Sequence, residues 1–220
     1  MLRIVQESVE WTLYDLPLSP FCARVRAQIR LKNLPIAIEA PPESLRTDAF
    51  YQRFPLGKIP VLSGPEGELA ESVAIMEFLE DCYPEPSLRP DDAMARAHMR
   101  MLCRYTDLQF GPSFGAAFFY LLVPNGEAPS LQASLECLAV LEQVVPDTVR
   151  SLPELHDLSL GTTFYFLTEV CERLGVDAGL ENYPRISAWW RWLNTNDVFR
   201  ATATELGEAL QQRLEMNHAS

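Results

Sequence analysis

The fold is indicated most clearly by one stretch of the chain, Ser19-Pro20-Phe21-Cys22-Ala23-Arg24-Val25-Arg26. It follows a short run of β-forming residues, Trp11 to Tyr14, and a turn-prone loop. Apolar residues recur at helical spacing from Phe21 to Ile29, and Pro20 suits the first position of a helix. The sequence therefore predicts a strand, a loop and a helix in this order.

The following residues continue the alternation of strands and helices. Residues 36–38 predict a second strand, and residues 41–54 leave room for a short helix. Val61 and Leu69 are predicted to belong to a hairpin, because Ser63-Gly64-Pro65-Glu66-Gly67 supplies turn residues between them. The next helix is predicted to start at Ser72, which gives the order βαβαββα.

A change of pattern follows at the prolines between Tyr83 and Pro90, which predict a semi-rigid linker. We expect a first domain over residues 1–83, a linker over 84–91 and an all-helical domain over 92–220. The predicted helices of the second domain lie near residues 92–110, 130–145, 160–174, 184–194 and 203–216.

Composition and charge limit the classes of function. The chain has 220 residues, of which 48% are apolar and 22% charged, as is ordinary for a packed globular protein. Its formal charge of −12 opposes binding to nucleic acid, and its longest basic cluster, Arg24 to Lys32, is interpreted as one face of a helix. No apolar run approaches the roughly 18 residues of a membrane helix, and residues 1–10 do not resemble a signal peptide. We expect a cytoplasmic protein without nucleic-acid or membrane partners.

The cysteines indicate neither a disulfide framework nor a metal site. There are five, widely spaced, without a Cys-x-x-Cys pair and without a histidine at ligand spacing. This pattern agrees with a reducing compartment and predicts that no metal is bound.

Chemistry is predicted first at the junction of the first strand and the first helix. A helix N-terminus stabilises an anion such as a thiolate by roughly 0.3–1 kcal/mol. If a thiol cofactor docks there, the Ser19 hydroxyl can donate a hydrogen bond to its sulfur and lower the thiol pKa. Alternatively, Ser19 only caps the helix, a role worth about 1 kcal/mol. Cys22 is either a low-pKa thiol for the same reason or a small buried apolar residue.

Two further motifs fit a peptide ligand. In Gly57-Lys58-Ile59-Pro60-Val61-Leu62 the proline removes a ladder hydrogen bond, which is tolerated at an edge strand or where the backbone pairs with something else, such as a peptide. Glu71 and Ser72 open the helix after the hairpin. Its amides and the Ser72 hydroxyl suit a carboxylate and Glu71 suits an ammonium, so that they fit an α-amino-acid group unless they form only an ordinary cap.

In order and spacing, these motifs resemble the N-terminal domain of cytosolic glutathione transferases. The resemblance rests on residues 19–26, 55–62 and 71–75, and the first of these looks most like the serine-type classes, tau and zeta among them. Residues 183–190 are similar to the last core helices of the family, so that the likeness spans nearly the whole chain. It implies a thioredoxin-like βαβαββα domain of the α+β class, followed by an all-helical (α) domain that carries the electrophile site.

The resemblance implies a role for each matching residue. Ser19 would hydrogen-bond the sulfur of glutathione, the co-substrate. Ile59, before a proline that is cis in the family, would pair its backbone with the cysteinyl part, and Glu71 and Ser72 would hold the γ-glutamyl end. The other residues predicted to bind glutathione are Phe21, Arg46, Lys58 and Pro60. The two basic side chains among them would meet the glycyl carboxylate.

The electrophile would lie against the first long helix of the second domain. Its predicted contacts are Tyr105, Gln109, Phe110 and Phe114, although aromatic residues at helical spacing are also typical of a core. The resemblance further implies a homodimer in which the first domain of one subunit contacts the second domain of its partner.

Two positions depart from the family. Phe54 stands where the family usually has an asparagine before the second motif. The family's Ser-x-x-Asp capping box matches Ser159-Leu160-Gly161-Thr162, which lacks the acidic residue, so we expect weaker capping there.

Together these features predict an enzyme that activates the glutathione thiol for addition to a small electrophilic or isomerisable substrate. Two alternatives stay open. A glutathione-dependent thiol transferase or reductase would use Cys22, although thiol-transfer members of the fold place their attacking cysteine at the position of Ser19. A non-catalytic binding or regulatory protein would keep the fold without the activity, since fold alone does not fix function.

Overall fold

A four-stranded sheet organises the first part of the molecule, in a computed structural model that describes residues 11–146 and 150–218. The strands are β1 (Trp11–Tyr14), β2 (Ile36–Glu39), β3 (Val61–Gly64) and β4 (Gly67–Ala70). They lie in the order β2-β1-β3-β4, with β1 parallel to β2 and β3 antiparallel to both of its neighbours. The helices between and after them are α1 (Pro20–Leu31), α2 (Asp48–Arg53) and α3 (Ser72–Cys82). The predicted order βαβαββα is confirmed.

Every element that follows α3 in the described residues is helical, as the sequence predicts. The helices are α4 (Ala93–Tyr105), α5 (Gly111–Leu122), α6 (Gln132–Val144), α7 (Leu155–Leu174), α8 (Pro184–Leu193) and α9 (Asp197–His218). A 3₁₀ turn, Leu180–Asn182, precedes α8. None of the described helices is long and apolar enough to cross a bilayer.

Helix α5 was not predicted, because Gly111 and Pro112 are typical of a break. A π-helical turn, Thr106–Phe110, instead carries the chain from α4 into α5 without interruption. Pro112 lies in the first turn of α5, directly after the π turn, a local irregularity of the kind that can accommodate a proline in a continuous helix.

The start of α7 corrects a second expectation. This helix begins at Leu155, not near residue 160, and its N-cap is Glu154. The Asp157 carboxylate accepts a hydrogen bond from the Glu154 backbone N–H at 2.8 Å. The helix therefore has the acidic half of a capping box, and the expectation that this partner is missing was wrong. Ser159, which sequence matching placed at the cap, is fully buried inside the helix.

One apolar core runs through both parts of the molecule. It joins Leu13 of β1 and Val25 of α1 to Phe164 of α7 and Trp189 of α8, all fully buried. Helix α1 lies at the centre of this arrangement, since it packs against α3, α7 and α9. The helix that carries the first predicted motif is thus held by residues from both parts of the chain.

The proline-rich stretch between α3 and α4 is anchored at Leu88, which is fully buried. Its N–H donates to the Glu80 carboxylate at 2.9 Å, and Glu80 also pairs with Lys32 at 2.9 Å. The carbonyl of Leu88 accepts from the N–H of Leu155 at 3.0 Å. The linker thus ties α3 to α7.

The domain limits at residues 83 and 92 stay predictions. The interpretation that residues 1–10 do not resemble a signal peptide concerns a segment outside the described residues.

Candidate functional site

The predicted site residues gather at one edge of the sheet. Tyr14, at the end of β1, lies opposite Val61, at the start of β3, and Val61 lies opposite Ala70, at the end of β4. Strands β1 and β4 therefore run in the same direction and end at the same edge. Ser19 follows β1, and Glu71 follows β4 directly.

The width of this edge suits an extended tripeptide. Neighbouring strands are about 4.8 Å apart, so the ends of β1 and β4 are separated by roughly 10 Å. Three extended residues span at most roughly 10 Å. A tripeptide can therefore lie across the edge from the start of α1 to the start of α3, past the chain that enters β3.

Ser19 occupies the N-cap position of α1, with Pro20 following it at the start of the helix. Its hydroxyl oxygen accepts a hydrogen bond from the Cys22 N–H at 3.3 Å, and the residue is partly exposed. Because a hydroxyl has two lone pairs and one proton, capping uses a lone pair, and the proton can be donated either to the neighbouring Cys22 sulfur or to a ligand. Capping and thiol activation, which the sequence left as alternatives, are compatible in this geometry.

Cys22 lies just inside the same helix and is fully buried. Its sulfur accepts a weak hydrogen bond from the Leu16 N–H at 3.3 Å. Burial raises the pKa of this thiol to about 12, and the nearby carboxylate of Asp15 adds to the effect. A protonated, inaccessible thiol is a poor nucleophile, so the structure does not favour Cys22 as the working residue.

The chain entering β3 has the backbone form implied by the resemblance. The Ile59–Pro60 peptide bond is cis, Pro60 is buried and Ile59 is partly exposed. Lys58 is exposed beside it, and Arg46 is exposed in the loop before α2. Both basic side chains are thus available to a carboxylate from solvent.

Phe54, the residue that departs from the family, belongs to a small apolar cluster beneath this chain segment. It is buried with Phe50 and Val61, and its ring meets that of Tyr14 edge-on at 5.7 Å. The large apolar side chain at this position therefore supports the loop by packing.

Glu71 and Ser72 form the opposite end of the site. Glu71 has φ 71° and ψ 106°, a backbone conformation that costs roughly 1–3 kcal/mol in a residue other than glycine and is found mostly at functional positions. The first intrahelical bond of α3 runs from the Ile75 N–H to the Glu71 carbonyl, so the three amides before it have no partner within the helix. Ser72 is buried, whereas Glu71 is exposed.

Arg24 links this end of the site to the helical part of the molecule, and sequence reasoning missed it. The side chain is fully buried, and its Nη1 atom lies 2.8 Å from Asp107 Oδ1 and donates to Ser72 Oγ at 3.5 Å. Its Nη2 atom donates to Thr163 Oγ1 at 3.4 Å, and the guanidinium lies 5.0 Å from the centre of the Phe21 ring. Arg24 thus contacts α3, α7 and the π turn at once.

The basic face predicted on α1 is largely internal. Arg26 forms a buried ion pair with Asp15 at 2.6 Å, and Lys32 pairs with Glu80 as described. Arg30, the most exposed member, pairs with Glu205 of α9 at 2.8 Å. Each of these cations pairs with a carboxylate from another part of the chain, and these pairs hold the fold together. The acidic partner of a cation on α1 therefore need not be its neighbour in sequence.

The structure does not support the four predicted electrophile contacts as a group. Phe110 and Phe114 are buried in the core, and Phe110 stacks on Phe164 at 6.2 Å. Tyr105 donates its hydroxyl to the Cys137 carbonyl of α6 at 3.3 Å, and burial raises the pKa of this phenol.

Tyr105 and Gln109 line a cavity of about 450 Å³ between the π turn and α6. Asp107 lies two positions from each of them and faces α1. Residues two positions apart point to nearly opposite sides of a helix, so Tyr105 and Gln109 face away from the sheet edge.

Within the described residues, no group of three metal-ligating side chains is found.

Comparison with known proteins identifies the first part of the chain. The family described as "Glutathione S-transferase, N-terminal domain" matches residues 13–87. The maleylacetoacetate isomerase of Pseudomonas aeruginosa is 30% identical over 189 residues, which are 79% of this chain and 86% of that protein. The glutathione S-transferase omega-1 of Mus musculus is 31% identical over 90 residues, 40% of this chain and 38% of that protein.

Solved structures show the same overall fold. The tau class glutathione S-transferase of mango, Mangifera indica, superposes with a TM-score of 0.76 at 19% identity and covers 92% of this chain and 96% of its own. A glutathione S-transferase from Methylobacillus flagellatus, solved with GSH bound, gives a TM-score of 0.71 at 23% identity and covers 88% of this chain and 98% of its own. The thioredoxin-like domain followed by a helical region is thus confirmed as the fold.

Proposed function

Since this chain belongs to the cytosolic glutathione transferase superfamily and is a glutathione transferase enzyme, we propose that it binds glutathione across the sheet edge and activates the thiol through Ser19. The observation that carries the proposal is that Ser19 follows β1 and Glu71 follows β4, two strands that end at the same edge of the sheet roughly an extended tripeptide apart. The substrate is a small electrophile that the thiolate attacks.

Thiol activation requires only modest stabilisation of the thiolate. Lowering the thiol pKa by about two units corresponds to about 2.7 kcal/mol. A hydrogen bond from the Ser19 hydroxyl to a charged sulfur contributes about 1.5–3 kcal/mol, and the N-terminus of α1 adds about 0.3–1 kcal/mol. The thiol proton leaves to solvent, and the sulfur lone pair then forms a bond to the electrophilic carbon. The π bond of that carbon breaks, and its electron pair moves to the neighbouring atom, which takes a proton from solvent. The two contributions together are large enough.

The remaining contacts would orient the tripeptide. The Ser72 hydroxyl and the first amides of α3 would bind the γ-glutamyl carboxylate, with Glu71 beside the ammonium group. Ile59 would pair its backbone with the cysteinyl part, and Lys58 and Arg46 would meet the glycyl carboxylate. Because Arg24 donates to Ser72, it would hold that hydroxyl in place.

We further propose that the electrophile lies on the side of the π turn and α5 that includes Asp107. Gly111 and Gly115 continue this side at intervals of four residues. A Cβ built on Gly111 lies 3.5 Å from Thr163, which Arg24 also contacts. A Cβ built on Gly115 meets no described atom within 4 Å, which leaves room for a substrate.

Isomerisation is a second candidate reaction, because the relative from Pseudomonas aeruginosa is named an isomerase. The same thiolate would add to one carbon of a carbon–carbon double bond, leaving a single bond that can rotate. Expulsion of the thiolate would then restore the double bond in the other configuration and return glutathione unchanged. Both candidate reactions use the same activated sulfur.

A homodimer is proposed from the family, and an exposed apolar row offers a surface for it. Met94, Met101 and Leu108 are exposed at intervals of seven residues along α4 and the π turn. Val140 and Val144 of α6 are exposed as well. Contiguous apolar surface of this kind is typical of protein interfaces. Light scattering of the purified chain would measure its mass directly.

Calorimetric titration with glutathione tests the proposed site. We expect saturable binding at or below millimolar concentration, weakened by Glu71→Gln and by Ser72→Ala. A panel of electrophiles with saturating glutathione then tests the reaction. If glutathione does not bind at millimolar concentration, the non-catalytic alternative replaces this proposal. If it binds but nothing in the panel reacts, the isomerase candidate is tested next.

A further inference from the structure

The loop between β1 and α1, which carries Ser19, is held by the side chain of Arg26 in the second turn of α1. Arg26 Nη1 donates to both carboxylate oxygens of Asp15, at 2.6 and 2.7 Å, and Nη2 donates to the Pro17 carbonyl at 3.4 Å. Asp15 is the first residue after β1, and Pro17 lies in the middle of the loop. The guanidinium therefore bridges the loop to the helix that follows it.

Backbone hydrogen bonds connect the anchored part of the loop to Ser19. The Asp15 N–H donates to the Glu39 carbonyl of β2 at 2.8 Å, which fixes the start of the loop. The Leu16 N–H donates to the Cys22 sulfur at 3.3 Å, and the Leu16 carbonyl accepts from the Ser19 N–H at 3.0 Å. A short loop with contacts at both ends and in the middle has little freedom, so the place of its anchor determines where the serine lies.

Arg26 is fixed from outside the loop as well. Its side chain is 4% exposed, and its Nε lies 3.2 Å from a carboxylate oxygen of Glu205 in α9. Glu205 also pairs with Arg30, one turn further along α1, at 2.8 Å. A planar guanidinium presents its donors in several fixed directions, whereas a lysine ammonium is a compact point charge. Only an arginine can therefore hold Asp15 and Pro17 while it faces α9.

We propose that Arg26 is a positioning residue for thiol activation, because it fixes the loop so that the Ser19 hydroxyl points at the sulfur of bound glutathione. The inference rests on the proposed function and assigns a further residue to the same site. Since its side chain is buried, Arg26 acts through Asp15 and Pro17. Hydrogen bonds weaken steeply as they depart from linearity, and a misplacement of about 1 Å can cost roughly 100-fold in rate.

Arg26→Lys tests this role, because lysine keeps the positive charge beside Asp15 but cannot also reach the Pro17 carbonyl. The readout is the thiol pKa of glutathione bound at saturation, followed by the ultraviolet absorbance of the thiolate against pH. We expect this pKa to lie at least about half a unit above that of the unmodified protein. S-methylglutathione has no ionisable thiol and should bind with unchanged affinity, since Arg26 does not position the other end of the site.

Arg30→Lys is the matched control, the same substitution one turn further along the helix. Arg30 shares the partner Glu205, but its described hydrogen bonds and ion pairs do not reach the loop. We expect the thiol pKa to stay unchanged in this variant. Urea denaturation of both variants separates the two roles, because a residue that only stabilises the fold would lower the free energy of unfolding without shifting the thiol pKa of the folded protein.

A second variant replaces Arg26→Lys if that protein does not fold. The double variant Asp15→Asn with Arg26→Gln removes both charges of the buried pair together, so no charge is left unpaired, and it should show the same rise in thiol pKa.

The outcomes separate this inference from the proposed function. A thiol pKa in folded Arg26→Lys equal to that of the unmodified protein, an equal shift in Arg30→Lys, or a loss of affinity for S-methylglutathione would each overturn the role of Arg26 and leave the proposed function intact. If glutathione bound to the unmodified protein keeps its ordinary thiol pKa, the proposed activation is wrong and the role of Arg26 falls with it.

Discussion

Replacing Ser19 with alanine removes a helix cap and a proposed thiolate donor in one change, and the two effects have different sizes. The cap, a 3.3 Å bond from the Cys22 N–H, should cost about 1 kcal/mol of unfolding free energy when it is lost. Loss of a hydrogen bond to charged sulfur costs about 1.5–3 kcal/mol, which raises the pKa of bound glutathione by about one to two units. At neutral pH the conjugation rate should therefore fall by roughly 10- to 100-fold.

The ultraviolet absorbance of the thiolate, followed against pH with glutathione bound, measures this pKa directly. Urea denaturation measures the loss of the cap separately. Ser19→Thr keeps both the hydroxyl and the capping oxygen, so it should retain the low thiol pKa. Cys22→Ala should retain activity as well, because the native thiol is buried and protonated. The reasoning fails if folded Ser19→Ala keeps the thiol pKa of the unmodified protein, or if Cys22→Ala loses conjugation.

Three further changes test the packing around the site. Asp107→Ala leaves the buried Arg24 without its 2.8 Å partner, and we expect a loss of about 1–3 kcal/mol in urea denaturation with weaker glutathione binding in calorimetry. Gly161→Ala places a Cβ against the Leu193 side chain of α8 and should lower the free energy of unfolding by about 1–3 kcal/mol through overpacking, measured by thermal denaturation, whereas Gly115→Ala, which meets no described atom within 4 Å, should not. Burial lowers the pKa of His156, so the unfolded chain binds its proton more readily and unfolding free energy should fall as pH drops below about 6.5. The fall should be smaller in His156→Gln.

The parts of the fold that sequence predicted are those that depend on local chemistry. Pro20 after Ser19 indicated the start of α1, and the turn residues 63–67 indicated the hairpin of β3 and β4. Both features are determined by residues a few positions apart. The same holds for the change from strands to helices after the proline-rich linker, because that change follows from the period of the apolar residues.

Two of the errors concern contacts between distant parts of the chain, and a third concerns a helix cap. Arg24 and its partner Asp107 are 83 residues apart, and the spacing of the residues on α1 does not indicate that Asp107 is the partner. The same limit explains Phe110, whose spacing fits either a substrate pocket or a core until its stacking partner Phe164 is placed. In α7, alignment of Ser159 with a family cap displaced the helix start, although Glu154 and Asp157 carried the spacing of a capping box.

The long-range ion pairs also bear on whether the first domain can form the site alone. Helix α1, which Ser19 caps, has Arg24 paired with Asp107 and Arg26 lying 3.2 Å from Glu205 of α9. Both carboxylates belong to the helical part. Without it, Arg24 would lose the partner that fixes the guanidinium beside Ser72, and the apolar residues that α1 buries against α7 would meet water. The two ends of the proposed glutathione site are therefore positioned by the second part of the chain as much as by the sheet.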